Sequence, residues 1–216
     1  MVEISKKYKL KNTVTFGFVN WIGLWTLYKK EVLRFLIVWI QTLLSPIISS
    51  LLFLLVLALA IGNERADVLG YPFITFLAPG LIAMQVIQQA FSHSSSSFMI
   101  GKIQGNIVDI LYAPLSPGEV TTAVVLASAT RSFMIAFISI IIFYFLVDIE
   151  IRNIYAVIFF TLISSIILGC IGVIAGLWAE KFDHMATVTS FIIIPLSFLS
   201  GTFYSIERLR QILQTI

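Results

Sequence analysis

The sequence predicts an all-α integral membrane protein, with one interfacial amphipathic helix at the N-terminus and about five transmembrane helices. Hydrophobic residues make up 59% of the 216 residues and charged residues only 12%, too few charges to cover a water-exposed globule of this size. The mean hydropathy is +1.00, and the apolar residues fall in runs long enough to cross a bilayer. We therefore expect residues 1–216 to form a single transmembrane domain.

Residues 1–34 are predicted to form a charged cytoplasmic arm followed by the interfacial helix. The first 12 residues carry four lysines, and Trp21, Trp25 and Tyr28 then recur at helical spacing before two further lysines. An aromatic stripe that ends in lysines is typical of a helix lying in the headgroup region. A polar extension of the first spanning helix is the alternative.

Five apolar segments follow, and each is expected to form one transmembrane helix. They lie at residues 35–61, 73–91, 120–147, 154–178 and 185–204. The first segment is longer than the roughly 20 residues that span a bilayer, so it should tilt or bend, with a kink at Pro46. Pro79 and Gly80 are expected to break the second segment.

The distribution of basic residues predicts the orientation of these helices. Nine of the 14 lysines and arginines lie on the side of the N-terminus and four on the opposite side, with Arg131 inside a span and uncounted. Basic residues favour the cytoplasmic side, so the N-terminus is expected in the cytoplasm. An odd number of spans would place the end of the chain outside.

Several functional classes lack their sequence signals. Gly101–Lys102 has neither the upstream glycine nor the following Ser or Thr of a phosphate-binding loop, so no ATP hydrolysis is expected on this chain. Cys170, His93 and His184 lie far apart in sequence and show no metal-ligand spacing. We expect no catalytic, cofactor-binding or metal site, and the modest net charge of +3 gives no reason to expect nucleic acid as a partner.

Two features inside the spans are of interest. Arg131 lies about 11 residues into the third span, roughly 16 Å deep, and an intramembrane charge is costly unless it faces a cavity or a partner. It is a candidate pathway or interface residue, unless the span begins later and leaves it near the headgroups. Gly169, Gly172 and Gly176 are expected to let helices approach closely.

The linker at residues 101–119 is the most informative polar segment. Ile103, Ile107 and Leu111 fall at helical spacing with polar residues between them, which predicts a short amphipathic helix over residues 102–112. A turn containing Pro114 and Pro117 then ends that helix. On the residues alone, a contact for a cytoplasmic partner and an ordinary structured loop are equally supported.

The linker sequence GKIQGNIVDILYAPLSPGEV and the ending PLSFLSGTFYSIERL, residues 195–209, together resemble the ABC-2 family of ATP-binding-cassette permeases. The resemblance covers nearly the whole chain. It implies the ABC-2 exporter fold in a bacterial inner membrane, and a permease that moves a lipid, polysaccharide, drug or similar amphiphile. Two permease chains would pair as a homodimer in contact with membrane lipid, and two separate ABC ATPase subunits would bind ATP and Mg.

In that family the linker between the second and third spans acts as the coupling helix that contacts the ATPase. Carried over to this sequence, the resemblance implies a coupling role for Gln104, Gly105, Asn106, Ile107, Asp109 and Leu111, with the closing turn at Ala113 and Pro114.

Family members have six spans, whereas this sequence ends after the fifth, which implies a truncated chain or a shortened gene and leaves its transport competence open. An ATP-independent secondary carrier, a membrane-bound enzyme and a non-transporting assembly factor are the alternatives. Paired intramembrane acids would favour the carrier, and a cluster of carboxylates or histidines at one membrane face would favour the enzyme.

Overall fold

The computed structural model describes residues 18–61, 70–147, 149, 151 and 153–199, and helices account for nearly all of them. We number the α-helices α1 Trp21–Ile37, α2 Ser45–Ile61, α3 Phe73–Ile103, α4 Ile107–Tyr112, α5 Pro117–Leu146, α6 Ile154–Trp178, α7 Phe182–Val188 and α8 Ile194–Leu199. Short π-helical segments, Ile40–Leu44 and Thr189–Ile193, precede α2 and α8. No β-strand occurs in the described ranges.

The predicted all-α membrane fold is confirmed. Four segments of the described chain are long and apolar enough to cross a membrane, namely Ile40–Ala60, Phe73–Ile103, Pro117–Leu146 and Ile154–Trp178. A shorter apolar helical stretch, Phe182–Phe198, occupies part of the predicted fifth span. The predicted N-terminal arm before residue 18, the end of that fifth span and most of the 195–209 motif lie outside the described residues.

Helix α3 lies at the centre and packs against both α5 and α6. The approach of α6 depends on its glycines, as predicted. A Cβ atom on Gly172 would stand 2.6 Å from the carbonyl oxygen of Phe91, and one on Gly176 would stand 2.8 Å from that of Ser95. A Cβ atom on Gly169 would likewise stand 2.6 Å from Ser128 Oγ on α5. Larger side chains at these positions would therefore push α6 away from α3 and α5.

Helix α1 runs alongside the first half of α5. Its N-cap residue Asn20 contacts Glu119, Tyr28 Oη lies 2.9 Å from Thr130 Oγ1, and Phe35 packs in one cluster with Ile135. Successive residues of α1 therefore contact successive residues of α5 along the length of α1. The first span is predicted to begin at residue 35, whereas Phe35 belongs to the buried face of α1 and the apolar helical segment begins at Ile40.

Two other predicted boundaries also differ. Helix α3 continues through Pro79 and past residue 91 to Ile103, because buried side chains on both sides of the proline hold the helix together. Helix α5 begins at Pro117 rather than residue 120, since Ser116 and Glu119 form a capping box and proline suits the first helical position. The segment between the helices thus shortens from 101–119 to 104–116, and we call the end of the bundle that carries it the linker end.

Contacts between helices show how far α3 and α5 project at the linker end. Arg131 bonds to both Thr42 and Gln89, so these three residues lie level with the start of the first apolar span. Fourteen residues of α3 follow Gln89, and fourteen of α5 precede Arg131, each a length of about 21 Å. These ends therefore project well past the start of the first apolar span, and Arg131 lies level with that start.

Candidate functional site

The linker helix α4 is shorter than predicted. Gln104 caps the end of α3, Gly105 adopts φ of +76°, and Asn106 is the N-cap, so the helix begins only at Ile107. A positive φ is a conformation that glycine adopts readily and that interrupts a right-handed helix. The predicted helical positions Gln104 and Gly105 therefore form the turn that redirects the chain into α4.

The exposed face of α4 differs in part from the prediction. Ile107 is half-buried and packs against the cluster that contains Phe98 and Val124, so it holds α4 onto the bundle. Val108, Leu111 and Tyr112 are instead 46%, 75% and 86% exposed. Asp109 is also exposed, so the outward surface of α4 combines apolar side chains with one carboxylate.

The exit from α4 is fixed by hydrogen bonds to the start of α1. Ala113 is extended after the helix, and the side chain of Asn20 donates to the carbonyl of Pro114 at 3.0 Å. The backbone N–H of Asn20 donates to Glu119 Oε1 at 2.5 Å, and that of Ser116 donates to Oε2 at 2.7 Å. The linker exit, α1 and α5 therefore form one connected unit.

A polar cavity of about 530 Å³ lies between α1, α2, α3 and α5 at the depth of Arg131. Only four of its sixteen lining side chains are apolar, and none is acidic. The polar lining comes mainly from two facing stripes at helical spacing. The stripes comprise Gln41, Thr42, Ser45 and Ser49 on one side and Gln85, Gln88, Gln89, Ser92 and Ser96 on the other.

Arg131 is 9% exposed and contributes its guanidinium to the cavity wall. Its Nη2 donates to Gln89 Oε1 at 2.6 Å and to the carbonyl of Thr42 at 3.2 Å. In a regular α-helix that carbonyl would accept from the N–H of residue 46, but Pro46 has none. The proline therefore leaves the carbonyl of Thr42 able to accept from Arg131. The sequence predicts only a kink at Pro46.

The structure gives Arg131 a buried position that bears on both predicted alternatives without deciding its role. Its helix begins at Pro117, earlier than expected, and the residue lies level with the start of the first apolar span at Ile40. It is also buried between helices and lines a cavity, as a pathway or interface residue would.

A second buried charge lies beside the cavity on α1. Glu31 is 2% exposed, and its Oε2 lies 3.0 Å from Arg34 Nη2 and 3.8 Å from His93 Nε2. Arg34 also donates to the carbonyl of His93 at 3.4 Å. This group connects α1 to α3 at the cavity wall.

Sequence reasoning missed the cavity, although a signal was present. Gln41, Ser45 and Ser49 recur every four residues within an apolar run, which places them on one face of a helix. Such a polar stripe inside a span is typical of a face that meets other polar groups. The serine run after Phe91 is part of α3, and two of its residues, Ser92 and Ser96, line the same cavity.

Neither a metal site nor a charged second cavity is found among the described residues. No group of three or more histidine, cysteine or acidic side chains there is arranged to hold a metal ion. A second, larger concavity of about 1330 Å³ lies between α3, α5 and α6, and its lining includes no charged side chain. We therefore take the linker surface and the polar cavity as the candidate sites.

Comparison with known proteins gives consistent matches. The model of a family described as ABC-2 type transporter matches residues 23–216. Inner membrane transport permease YadH from Escherichia coli strain K12 is 30% identical over 189 residues, which cover 88% of this chain and 74% of that protein. Nodulation protein J from Rhizobium leguminosarum bv. viciae is 24% identical over 215 residues, covering 94% and 78%. No solved structure matches the chain significantly.

Proposed function

This chain belongs to the ABC-2 type transporter family, and from that premise we propose that it is the membrane-spanning permease subunit of an ATP-driven exporter. It is a multi-pass membrane protein of a permease family. In the proposed complex, two copies pair and two separate ABC ATPase subunits supply the energy. The substrate is a lipid, polysaccharide, drug or similar amphiphile that leaves across the bacterial inner membrane.

The observation that supports an ATPase partner most directly is the outward face of α4. Leu111 and Tyr112 are 75% and 86% exposed, on a helix of six residues that is held at its start by Gly105 and at its exit by Asn20. A surface that is already ordered loses little conformational entropy when a partner binds. Exposed aromatic and leucine side chains on such a surface are suitable contacts for a groove on that partner.

The connections of the linker suggest how ATP-driven movement reaches the membrane. Force applied to α4 acts on the exit turn, where the carbonyl of Pro114 accepts from Asn20 before α1 and the N–H of Ser116 donates to Glu119 of α5. Helix α1 in turn carries Arg34 at the cavity wall and Glu31 beside it. In this proposal the N-terminus and the linker end face the cytoplasm, in agreement with the distribution of lysine and arginine.

The test is co-purification of the chain with a candidate ABC ATPase subunit expressed in the same cells. Tyr112→Asp places a charge on the proposed contact and should abolish association. Tyr155→Asp is a matched control, because Tyr155 is 82% exposed at the opposite end of the bundle and should retain the partner. Asp109→Lys should weaken association while leaving the monodispersity of the detergent-solubilised chain unchanged.

Ile107 is unsuitable for this test, since it packs inward and its replacement by Asp would disturb the fold. If Tyr112→Asp and Asp109→Lys both retain the ATPase at the wild-type ratio, α4 is an ordinary connecting helix. A chain that transports in proteoliposomes without any ATPase would reject the proposal altogether.

An ATP-independent carrier is the second candidate, and the proximity of buried Glu31 to His93 is the observation that favours it. Such a carrier would depend on a proton gradient. Transport that continues with a hydrolysis-deficient ATPase partner, and stops when the gradient is dissipated, would favour the carrier over the exporter.

A further inference from the structure

The polar cavity between α1, α2, α3 and α5 contains more positive than negative charge. Arg34 and Arg131 both line it, and Glu31 pairs with Arg34 rather than with Arg131. No carboxylate of the described residues lies within ion-pair distance of Arg131. Its Nε also has no hydrogen-bond acceptor in this part of the chain.

An arginine in this position is costly for the protein. Removing a guanidinium from water costs several kcal/mol unless it meets an anion or a set of acceptors. Gln89 and the carbonyl of Thr42 provide two neutral acceptors on one edge of the group. The fork geometry of arginine leaves further donors for a group that accepts two hydrogen bonds, such as a phosphate or a carboxylate.

The size and the position of the cavity fit the headgroup of an amphiphile. Its volume of about 530 Å³ is within the range of small-molecule sites. Three of its lining residues, Gln41, Ser45 and Ser49, are exposed, so the cavity is open along this face of the first apolar span. It lies level with the start of the first apolar span, Ile40–Ala60, and a span of that length that begins there begins at the boundary between headgroups and hydrocarbon.

The same face of α2 changes from polar to apolar beyond the opening. Ser45 and Ser49 are followed at helical spacing by Leu52, Val56 and Leu59, which are 54%, 58% and 81% exposed. A chain leaving the cavity toward the membrane centre would therefore run along an apolar surface. This arrangement favours an acyl chain attached to an anionic headgroup over a free anion.

We propose that the cavity lined by Arg34 and Arg131 binds the anionic headgroup of an amphiphile, with its acyl chain along the exposed face of α2. The headgroup accepts hydrogen bonds from the guanidinium of Arg131, and the amide side chains of Gln85 and Gln88 line the rest of its surface. The assignment of this site to the cytoplasmic leaflet, as an entry site for the exported amphiphile, rests on the proposed function.

The test measures binding to the purified full chain in a zwitterionic detergent, by microscale thermophoresis. The probes are dihexanoyl phosphatidic acid, dihexanoyl phosphatidylcholine and inorganic phosphate. We expect phosphatidic acid to bind saturably and more tightly than either other probe. Arg131→Gln should weaken this binding about tenfold or more, the effect of losing a charge-assisted hydrogen-bonding partner.

Gln41→Glu is a second variant, for the case in which Arg131→Gln does not fold. Gln41 is exposed at the opening, so a carboxylate there should preserve the fold and repel the anion. Lys30→Gln is the matched control, because it lowers the net charge by the same amount on the exposed side of α1 and should leave binding unchanged.

Three results would overturn the proposal. Equal binding of phosphatidylcholine would exclude recognition of an anionic headgroup. Equal binding of inorganic phosphate would exclude the amphiphile in favour of a free anion. Unchanged affinity in a folded Arg131→Gln variant, or in Gln41→Glu, would exclude this cavity. No ATPase is present in the assay, so its failure would leave the proposed coupling to an ATPase untouched.

Discussion

The backbone N–H of Asn20 donates a hydrogen bond of 2.5 Å to Glu119 Oε1, across 99 positions of the chain. Through this bond the first residue before α1 meets the first turn of α5, and the same carboxylate accepts from Ser116 at the exit of the linker. One side chain therefore joins the N-terminal helix, the linker and a spanning helix. Movement of the linker exit away from α1 and α5 would have to break its bonds to Asn20 and Glu119, or carry these helices with it.

The side chain of Asn20 should contribute more to stability than an ordinary helix cap. It accepts from Gly23 N and also donates to the carbonyl of Pro114. We expect Asn20→Ala to lower the free energy of unfolding by about 2 kcal/mol, from the lost cap and the lost bond to the linker. Equilibrium unfolding in mixed micelles would measure it.

Asn153 provides the control, because it caps α6 through Tyr155 N and Ala156 N and its described side-chain bonds are within that one helix end. Asn153→Ala should cost about 1 kcal/mol. Equal costs for the two substitutions would show that the bond between Asn20 and Pro114 adds nothing.

Gly172 should not tolerate a methyl group. An added Cβ would approach the carbonyl oxygen of Phe91 to 2.6 Å, and backbone atoms of a central helix cannot move away at low cost. We expect Gly172→Ala to destabilise the protein by about 1–3 kcal/mol, the typical effect of overpacking. Thermal unfolding followed by size-exclusion chromatography would detect the loss.

Gly118 is the comparison for this substitution, since nothing lies within 4 Å of the Cβ it would gain. Because alanine favours helix more than glycine does, Gly118→Ala should be neutral or stabilising by up to about 1 kcal/mol. A similar melting temperature for both variants would contradict the close packing of α6 on α3.

The carboxylate of Glu31 should be required to hold α1 on α3. It is 2% exposed and pairs with Arg34, which is partly exposed. Glu31→Gln would remove the carboxylate that pairs with Arg34, and Arg34 would then line the same cavity as Arg131 without a negative partner. We expect a loss of about 2–4 kcal/mol, as for other buried pairs that lose one partner, measured by unfolding in mixed micelles.

The exposed Glu180 allows a matched substitution of the same type. Glu180→Gln should change the free energy of unfolding by less than about 0.5 kcal/mol. If Glu31→Gln is equally mild, the buried ion pair contributes little and α1 is held by its apolar contacts.

Local chemistry predicted much of this fold. The small residues of α6 indicated close helix contact, and the apolar runs located four of the spans. The sequence Ser116–Pro117–Gly118–Glu119 is a capping box, and it marks the start of α5. The turn predicted at Pro114 and Pro117 overlaps this signal. The boundary of α5 at Pro117 is therefore a local property of the sequence.

The rest depends on contacts between residues distant in the chain. Nothing adjacent to Asn20 indicates that Glu119 will be its partner, and Arg131 meets Thr42 across 89 positions. Pro46 was interpreted as a kink because its effect on its own helix is predictable. The use of the freed carbonyl by a different helix is a tertiary property, and so is the cavity that the two polar stripes enclose.

The central claim is that the linker end faces the cytoplasm and is covered there by an ATPase. The most direct measurement is labelling of Tyr112→Cys and Tyr155→Cys by a membrane-impermeant maleimide, each in a Cys170→Ser background, in vesicles of both orientations. We predict that Tyr112→Cys is labelled only from the cytoplasmic side and is protected by the partner ATPase. Tyr155→Cys should be labelled only from the opposite side, with or without the partner. Labelling of Tyr112→Cys from outside, or labelling that the ATPase leaves unchanged, would contradict the account.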